Sequence, residues 1–117
     1  MKWLGGFGAF ALLAIISPAL AQPIGAWRVN GAIAGRTFVL DCRFEEKGGT
    51  CTDASRGGKT HPLTSLSVAG NQARWTFATR VVLMSITLAF DGRIEGNRMS
   101  GTMSAAGRHG TFTAARS

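Results

Sequence analysis

From residue 22 onward the sequence predicts an all-β fold, a small antiparallel meander barrel of about eight strands, preceded by an N-terminal signal helix. Apolar and polar side chains alternate in short runs, and helical periodicity is scarce. Turn-forming residues separate these runs at close, even intervals, which is typical of all-β sandwiches and barrels. A barrel is favoured because an open sheet of this size leaves unpaired edges.

Residues 1–21 have the order of a secretory signal peptide. A lysine precedes an uncharged apolar run over residues 4–16, Pro18 interrupts that run, and residues 19–21 read A-x-A, which suits a signal peptidase. The run is shorter than the roughly 20 apolar residues of a transmembrane helix, although retention as an anchor stays an alternative. We therefore expect one β-barrel domain at residues 22–117, periplasmic or secreted, with no stable membrane anchor after cleavage.

Cys42 and Cys51 are the two cysteines of the chain, and we expect them to form a disulfide bond. An even number of cysteines in a short exported chain is typical of structural disulfides, and the spacing lacks a CxxC pair that would indicate a metal site. The run over residues 36–44 alternates, and glycines follow at residues 48–49. A hairpin folded about Glu46 and Lys47 sets the two cysteines directly opposite each other.

The remaining runs supply the other strands. Alternation predicts strands at residues 27–29, 63–68, 73–82, 84–90, 98–103 and 110–114, with turns at residues 69–72, 91–92, 95–97 and 106–107. Residues 53–62, which include His61, read as an exposed polar loop. The inward positions mix large and very small side chains, which suits a small, strongly curved barrel; they include Trp75, Phe77, Phe90, Phe112, Gly101, Gly110 and Ala114.

Residues 90–102 read FDGRIEGNRMSGT and residues 107–116 read GRHGTFTAAR. This end of the chain, roughly its last third, resembles small exported calycin-like or lipocalin-like β-barrel domains of bacteria, in which a glycine ladder and a final F-x-A-x-R strand are common. Trp27 agrees with the same pattern more loosely. The resemblance implies a meander barrel rather than an activity, because such folds include ligand binders, inhibitors and accessory domains.

The expected mature domain is strongly basic, with 12 basic side chains against 6 acidic ones once Lys2 is removed. Such a balance attracts anions generally and does not choose between nucleic acid, lipopolysaccharide and an acidic protein. We expect an anionic surface or an acidic protein as partner, and no nucleic acid. Arg98, Arg108 and His109 are the predicted anion contacts, since the glycine-flanked run at residues 107–110 could present backbone N–H groups to an anion. The same run is also an ordinary basic turn.

No arrangement of nucleophile, base and orienting group stands out, and no metal or cofactor motif is present, so we expect a protein that is not an enzyme and needs no cofactor. The leading hypothesis is an exported binding or inhibitor-like module that acts through its basic surface. The alternative is a carrier of a small apolar ligand in the barrel mouth, in a pocket lined by Trp75, Phe77, Met84 and Met99. A filled interior with clustered arginines would favour the module.

Overall fold

A computed structural model describes residues 23–54 and 57–117, and the expected signal peptide at residues 1–21 lies outside the described residues. The described part is all-β, and eight antiparallel strands close into a barrel in which each strand pairs with the next and the last pairs with the first. The strands are β1 (Gly25–Ile33), β2 (Arg36–Glu45), β3 (Gly48–Asp53), β4 (Thr60–Ala69), β5 (Gln72–Val81), β6 (Met84–Glu95), β7 (Arg98–Ala105) and β8 (Arg108–Arg116). The predicted meander barrel is therefore confirmed. Within residues 23–54 and 57–117 no helix is present that could cross a membrane.

The hairpin of β2 and β3 has the register that the sequence predicts. Cys42 lies directly opposite Cys51, and the two form a disulfide with their Cα atoms 4.0 Å apart. This separation is close to the roughly 4.5 Å of a non-hydrogen-bonded antiparallel pair, in which the side chains approach each other most closely. Both cysteines are buried, so the disulfide forms part of the core.

The turn predicted at Asp91 and Gly92 is wrong, because β6 continues through both residues to Glu95. Gly92 is buried, and a Cβ atom there would meet Met99 and Phe112 at 2.8 Å or less. The glycine is therefore explained by the space that its neighbours occupy inside the barrel. The Asp-Gly pair favours a turn only where local preference is not opposed by packing.

The polar loop is shorter than predicted, since β4 begins at Thr60 and the connection from β3 covers only residues 54–59. His61 therefore lies in a strand, half-buried, and its ring stacks on Phe77 with 5.4 Å between ring centroids. The prediction of a solvated loop histidine is wrong for this residue. Its stacking on a core aromatic ring gives His61 a packing role.

Aromatic rings fill the centre of the barrel. Trp75 and Phe90 stack at 5.0 Å, and Phe90 and Phe77 stack at 5.9 Å. Phe44 and Phe112 meet Trp75 edge-on at 4.9 Å and 5.5 Å, an arrangement that aromatic pairs prefer. The predicted inward positions thus converge on one packed aromatic cluster.

The contact between β1 and β8 closes the barrel, and Trp27 lies at one end of this contact, where it pairs with Arg116. The indole Nε1 of Trp27 donates a hydrogen bond to the carbonyl oxygen of Pro23 at 2.8 Å. The guanidinium of Arg116 lies 4.6 Å from the Trp27 ring and also donates to the carbonyl oxygen of Ile24 at 2.7 Å. The backbone N–H of Ser117 donates to Ala26 at 3.0 Å. These contacts hold both ends of the described chain at one end of the barrel.

Candidate binding surface at one end of the barrel

The up-and-down order of the strands places alternate connections at opposite ends of the barrel. One end carries the connections at residues 34–35, 54–59, 82–83 and 106–107. Among the described residues, four exposed basic side chains lie at or beside these connections, and we call this end the basic end; they are Arg36, Lys59, Arg80 and Arg108. Within residues 23–54 and 57–117, none of the four forms an ion pair within 4.0 Å. Their charges are therefore directed to solvent or to a partner.

Acidic side chains are concentrated away from the basic end. Of the six in the chain, three lie at or beside connections of the opposite end, namely Glu45, Glu46 and Glu95. Asp41 and Asp91 lie on the barrel wall, and Asp53 is the acidic residue at the end of β3, on the basic side. The basic residues of the wall and the opposite end are thus interspersed with acids, whereas the basic end has one acidic residue, Asp53.

Both wall carboxylates are held by neighbouring strands. Arg28 donates to Asp41 from Nε at 2.8 Å and from Nη2 at 3.0 Å. This hydrogen bond and the accompanying charge attraction raise the pKa of Arg28 above its ordinary value. Arg74 lies 3.2 Å from Asp91, which also accepts a hydrogen bond from Gln72 at 2.8 Å. These bases therefore have acidic partners within the barrel wall, unlike those of the basic end.

The hairpin of β5 and β6 continues at the basic end past its last pairs with the neighbouring strands. Pairing of β5 with β4 reaches Phe77, and pairing of β6 with β7 starts at Leu88. Residues 78–87, which we call the hairpin arm, form a further four cross-strand pairs with each other. At roughly 3.3 Å per residue, four pairs correspond to about 13 Å of ribbon that is not paired with a neighbouring strand.

The tip of the hairpin arm is apolar and exposed. Val82 and Leu83 form the turn and are 88% and 87% exposed, and Met84 is 66% exposed. Arg80 is the only charged residue of the arm. A contiguous exposed group of large apolar side chains of this kind is typical of surfaces that contact a partner or a membrane.

The turn of the arm is built from residues that do not favour it. Val82 has a φ of 58°, in the left-handed region that β-branched residues rarely adopt. In the turns at residues 34–35 and 106–107 the same first position is an alanine, with φ of 53° for Ala34 and 50° for Ala106. In the turns at residues 70–71 and 96–97 it is a glycine, with φ of 61° for Gly70 and 65° for Gly96. An asparagine follows each of those glycines, where the arm has Leu83.

The predicted anion contacts do not lie together. Arg108 and His109 begin β8 at the basic end, and both are exposed. Arg98 begins β7 at the opposite end. The length of β7 separates it from the other two, about 23 Å at the usual rise of a strand. Arg108 alone of the predicted arginines therefore belongs to the basic end.

The predicted pocket residues are also divided. Trp75, Phe77 and Met99 are buried in the core, whereas Met84 lies at the tip of the hairpin arm. The four side chains therefore do not line one pocket. The Trp75 Nε1 atom is buried and has no hydrogen-bond partner among the described residues.

Two shallow grooves lie on the barrel wall. The larger, of about 380 Å³, crosses β5 to β8, and its outward-facing lining is mostly polar: Arg74, Thr76, Ala89, Asp91, Thr102, Ser104 and His109. The smaller, of about 160 Å³, lies beside Arg93, Glu95 and Arg98. Among the described residues no group of three histidine, cysteine, aspartate or glutamate side chains could hold a metal ion.

The sequence reasoning missed three of the four bases of the basic end, Arg36, Lys59 and Arg80, and the arm tip. The bases are scattered along the chain. They come to one end only because successive strands run in opposite directions, so that alternate connections lie at the same end. The tip had one usable signal, because the run VVLM at residues 81–84 breaks the alternation between two strands. Without glycine, proline, asparagine or aspartate, that run lacks the usual marks of a turn.

A comparison of the chain with protein-family models, curated proteins and solved structures finds no match.

Proposed function

We propose that this protein is an exported, non-enzymatic binding or inhibitor-like module that contacts an anionic partner through the basic end of its barrel. The observation that supports this proposal is the uneven distribution of charge. Arg36, Lys59, Arg80 and Arg108 are exposed at one end, while five of the six acidic residues lie on the wall or at the other end. A concentrated positive field of this kind attracts anionic partners and increases their rate of encounter.

The packed interior also favours a surface function. The stacked rings of Trp75, Phe77 and Phe90 occupy the middle of the barrel, where a larger barrel would hold a ligand. Binding at the basic end needs no interior space, because exposed side chains can contact a partner directly.

The second candidate function is a carrier of a small apolar ligand in the barrel mouth. One observation favours it: the buried Nε1 of Trp75 has no acceptor among the described residues, and buried indole N–H groups usually have one. A bound molecule with a carbonyl or carboxylate oxygen would supply that acceptor. Native mass spectrometry of the purified protein tests this function, because a retained small molecule would support the carrier and oppose the module.

The proposed function is tested by a variant of the basic end and a matched control. The first carries Arg36→Gln, Lys59→Gln, Arg80→Gln and Arg108→Gln; the control carries Arg43→Gln, Lys47→Gln, Arg93→Gln and Arg98→Gln, and has the same net charge. Both variants are bound to immobilised heparin, a polyanion, and the salt concentration at which each variant elutes is measured. We expect the first variant to elute at clearly lower salt than the control, because screening acts on the charges that contact the anion. Equal elution of the two variants would refute the proposal.

A further inference from the structure

We propose that the anionic partner is a phospholipid surface, and that the hairpin arm inserts its apolar tip into that surface while the basic end contacts the headgroups. The inference rests on the proposed function of the basic end and names its partner. Its elements are the exposed tip at Val82, Leu83 and Met84 and the four bases around it.

The tip has the composition of a membrane-inserting loop. Its three large apolar side chains are more than half exposed, and the turn between β5 and β6 contains no polar side chain. Apolar side chains of membrane-surface proteins lie roughly 5 to 10 Å deep, at the boundary of headgroups and acyl chains. The hairpin arm is a two-stranded ribbon of about 13 Å, at the usual rise of a strand, which is longer than that depth.

The two faces of the hairpin arm differ in polarity. Cross-strand partners share a face, so Thr79 lies beside Ile86, on the face that continues the inner surface of the barrel. On the other face Arg80 lies beside Ser85, three residues or fewer from the tip. A cation in this position can remain at the headgroups when the tip is inserted, because long basic side chains extend towards water.

The four bases are arranged for a plane rather than for a groove. Arg36 begins β2, Lys59 precedes β4, and Arg108 begins β8, so the charges come from strands spaced around the barrel mouth. A flat layer of phosphates can meet all of them at once, and each basic residue near an anionic membrane adds attraction. A protein partner would need an acidic surface of matching width with an apolar cavity at its centre.

The backbone of Val82 supports a role beyond folding. Ala34 and Ala106 have a similar φ in the turns at residues 34–35 and 106–107, but Val82, with φ of 58°, is β-branched and therefore more strained. Glycine at positions 70 and 96 is not strained. Residues with strained backbone conformations are found preferentially at functional sites. Val82 contributes an apolar side chain that glycine would lack, which is what membrane insertion requires.

The experiment measures binding of the protein, purified after expression of the full chain, to vesicles of phosphatidylcholine alone and of phosphatidylcholine with 30% phosphatidylglycerol, a fraction that gives roughly the negative surface typical of anionic leaflets. The test variant is Val82→Gly with Leu83→Asn, which places in the arm the residues found at positions 70–71 and 96–97. It should fold at least as well as the natural chain, because glycine relieves the strained φ. The control is Val68→Asn, which removes an exposed apolar side chain at the opposite end.

We expect the natural chain and the control to bind the anionic vesicles at least tenfold more strongly than the neutral ones, and the Val82→Gly, Leu83→Asn variant to lose at least tenfold of that binding. A Leu83→Trp variant should show a blue shift in fluorescence on binding, and brominated lipids should quench it. Trp27 and Trp75 are fully buried and serve as an internal record of the fold.

The outcomes separate this inference from the proposed function. If heparin elution depends on the basic end but the natural chain ignores anionic vesicles, or binds them equally after the tip is replaced, the lipid inference is overturned and the proposed function stands. If neither heparin nor vesicles distinguish the basic-end variant from its control, both fail. Recovery of a tightly bound protein through the arm, without vesicle binding, would also overturn the lipid partner.

Discussion

At Gly31 the barrel wall has no room for even one methyl group. Gly31 pairs with Phe38 on the next strand, and a Cβ atom built on Gly31 would overlap the Phe38 ring. The ring therefore covers the glycine backbone and fills the space that a side chain would take. Large residues and glycines on the inner face can pack as pairs of this kind, in which the large side chain fills the space beside the glycine.

Gly31→Ala should lower the free energy of unfolding by about 1 to 3 kcal/mol, the usual range for overpacking a well-filled core. Denaturant unfolding of the single variants and of the double variant with Phe38→Ala measures the coupling between the two positions. The penalty of Gly31→Ala should largely disappear when Phe38 is already alanine. An equal penalty in both backgrounds would place the conflict at another neighbour.

Individual residues were predictable where alternation alone decides their environment. Cys42, Trp75 and Phe112 are buried, as their positions in the alternating runs predict. The environment of Gly92 was not predictable, because the reason for the glycine is the volume of Met99 and Phe112, which other strands supply. Local turn preference was the only signal available at that position, and it indicated the wrong structure.

Among the elements, the hairpin of β2 and β3 is fixed twice, by strand register and by the disulfide. A disulfide stabilises chiefly by restricting the unfolded chain, and the effect grows with the length of the closed loop. The loop here is short, with a sequence separation of 9 between the cysteines. Its contribution should therefore lie in the lower part of the usual range.

Replacing both cysteines, Cys42→Ala with Cys51→Ala, should reduce the free energy of unfolding by about 2 to 3 kcal/mol relative to the oxidised protein. Alanine is preferred to serine because both positions are buried and a hydroxyl group there would need a partner. The natural chain treated with a reductant provides the comparison. Unfolding midpoints that do not differ between the oxidised chain and the alanine variant would show that the hairpin is held by its register alone.

The hairpin arm marks the limit of element prediction from this sequence. Strands on both sides of Val82 follow from alternation, and the structure contains both. The length of the ribbon does not follow, because it depends on where β4 and β7 stop pairing. That boundary is a property of three strands together, and no single segment encodes it.

At the scale of the whole molecule, one of the eight strand interfaces differs from the other seven. It joins β1 and β8, the first and last strands, which are separated in sequence by almost the whole described chain. Arg116 contributes to this interface through its contact with the Trp27 ring and its hydrogen bond to Ile24. Cation–π contacts with tryptophan are among the stronger ones of their type. Closure thus depends on side-chain contacts as well as on the backbone ladder.

Arg116→Met, which keeps the apolar stem but removes the charge and the donors, should lower the free energy of unfolding by about 1 to 2 kcal/mol. Arg98→Met is the control, because Arg98 is exposed and should change stability by roughly 0.5 kcal/mol or less. Thermal or denaturant unfolding checks both variants. Equal effects of the two substitutions would mean that Arg116 adds nothing to closure beyond its backbone.

Closure of the sheet was predictable from the edges that an open meander would leave, but the two ends of the barrel were not. The turn predicted at Asp91 and Gly92 introduces a strand boundary that the structure lacks. Each additional boundary reverses the expected direction of every later strand. Assigning Arg98 and Arg108 to ends requires every earlier turn to be correct. The basic end could therefore be recognised only after the complete strand order was known.

The closing interface also dictates an order of events in folding. Every other interface joins strands adjacent in sequence, so those hairpins can form as soon as their residues are available, with little loss of chain entropy. β1, the earliest strand to appear, has to wait for β8, the latest, and until then both present open edges to other chains. The interval between the formation of the first hairpins and the pairing of β8 with β1 is therefore the period in which open strand edges most favour aggregation.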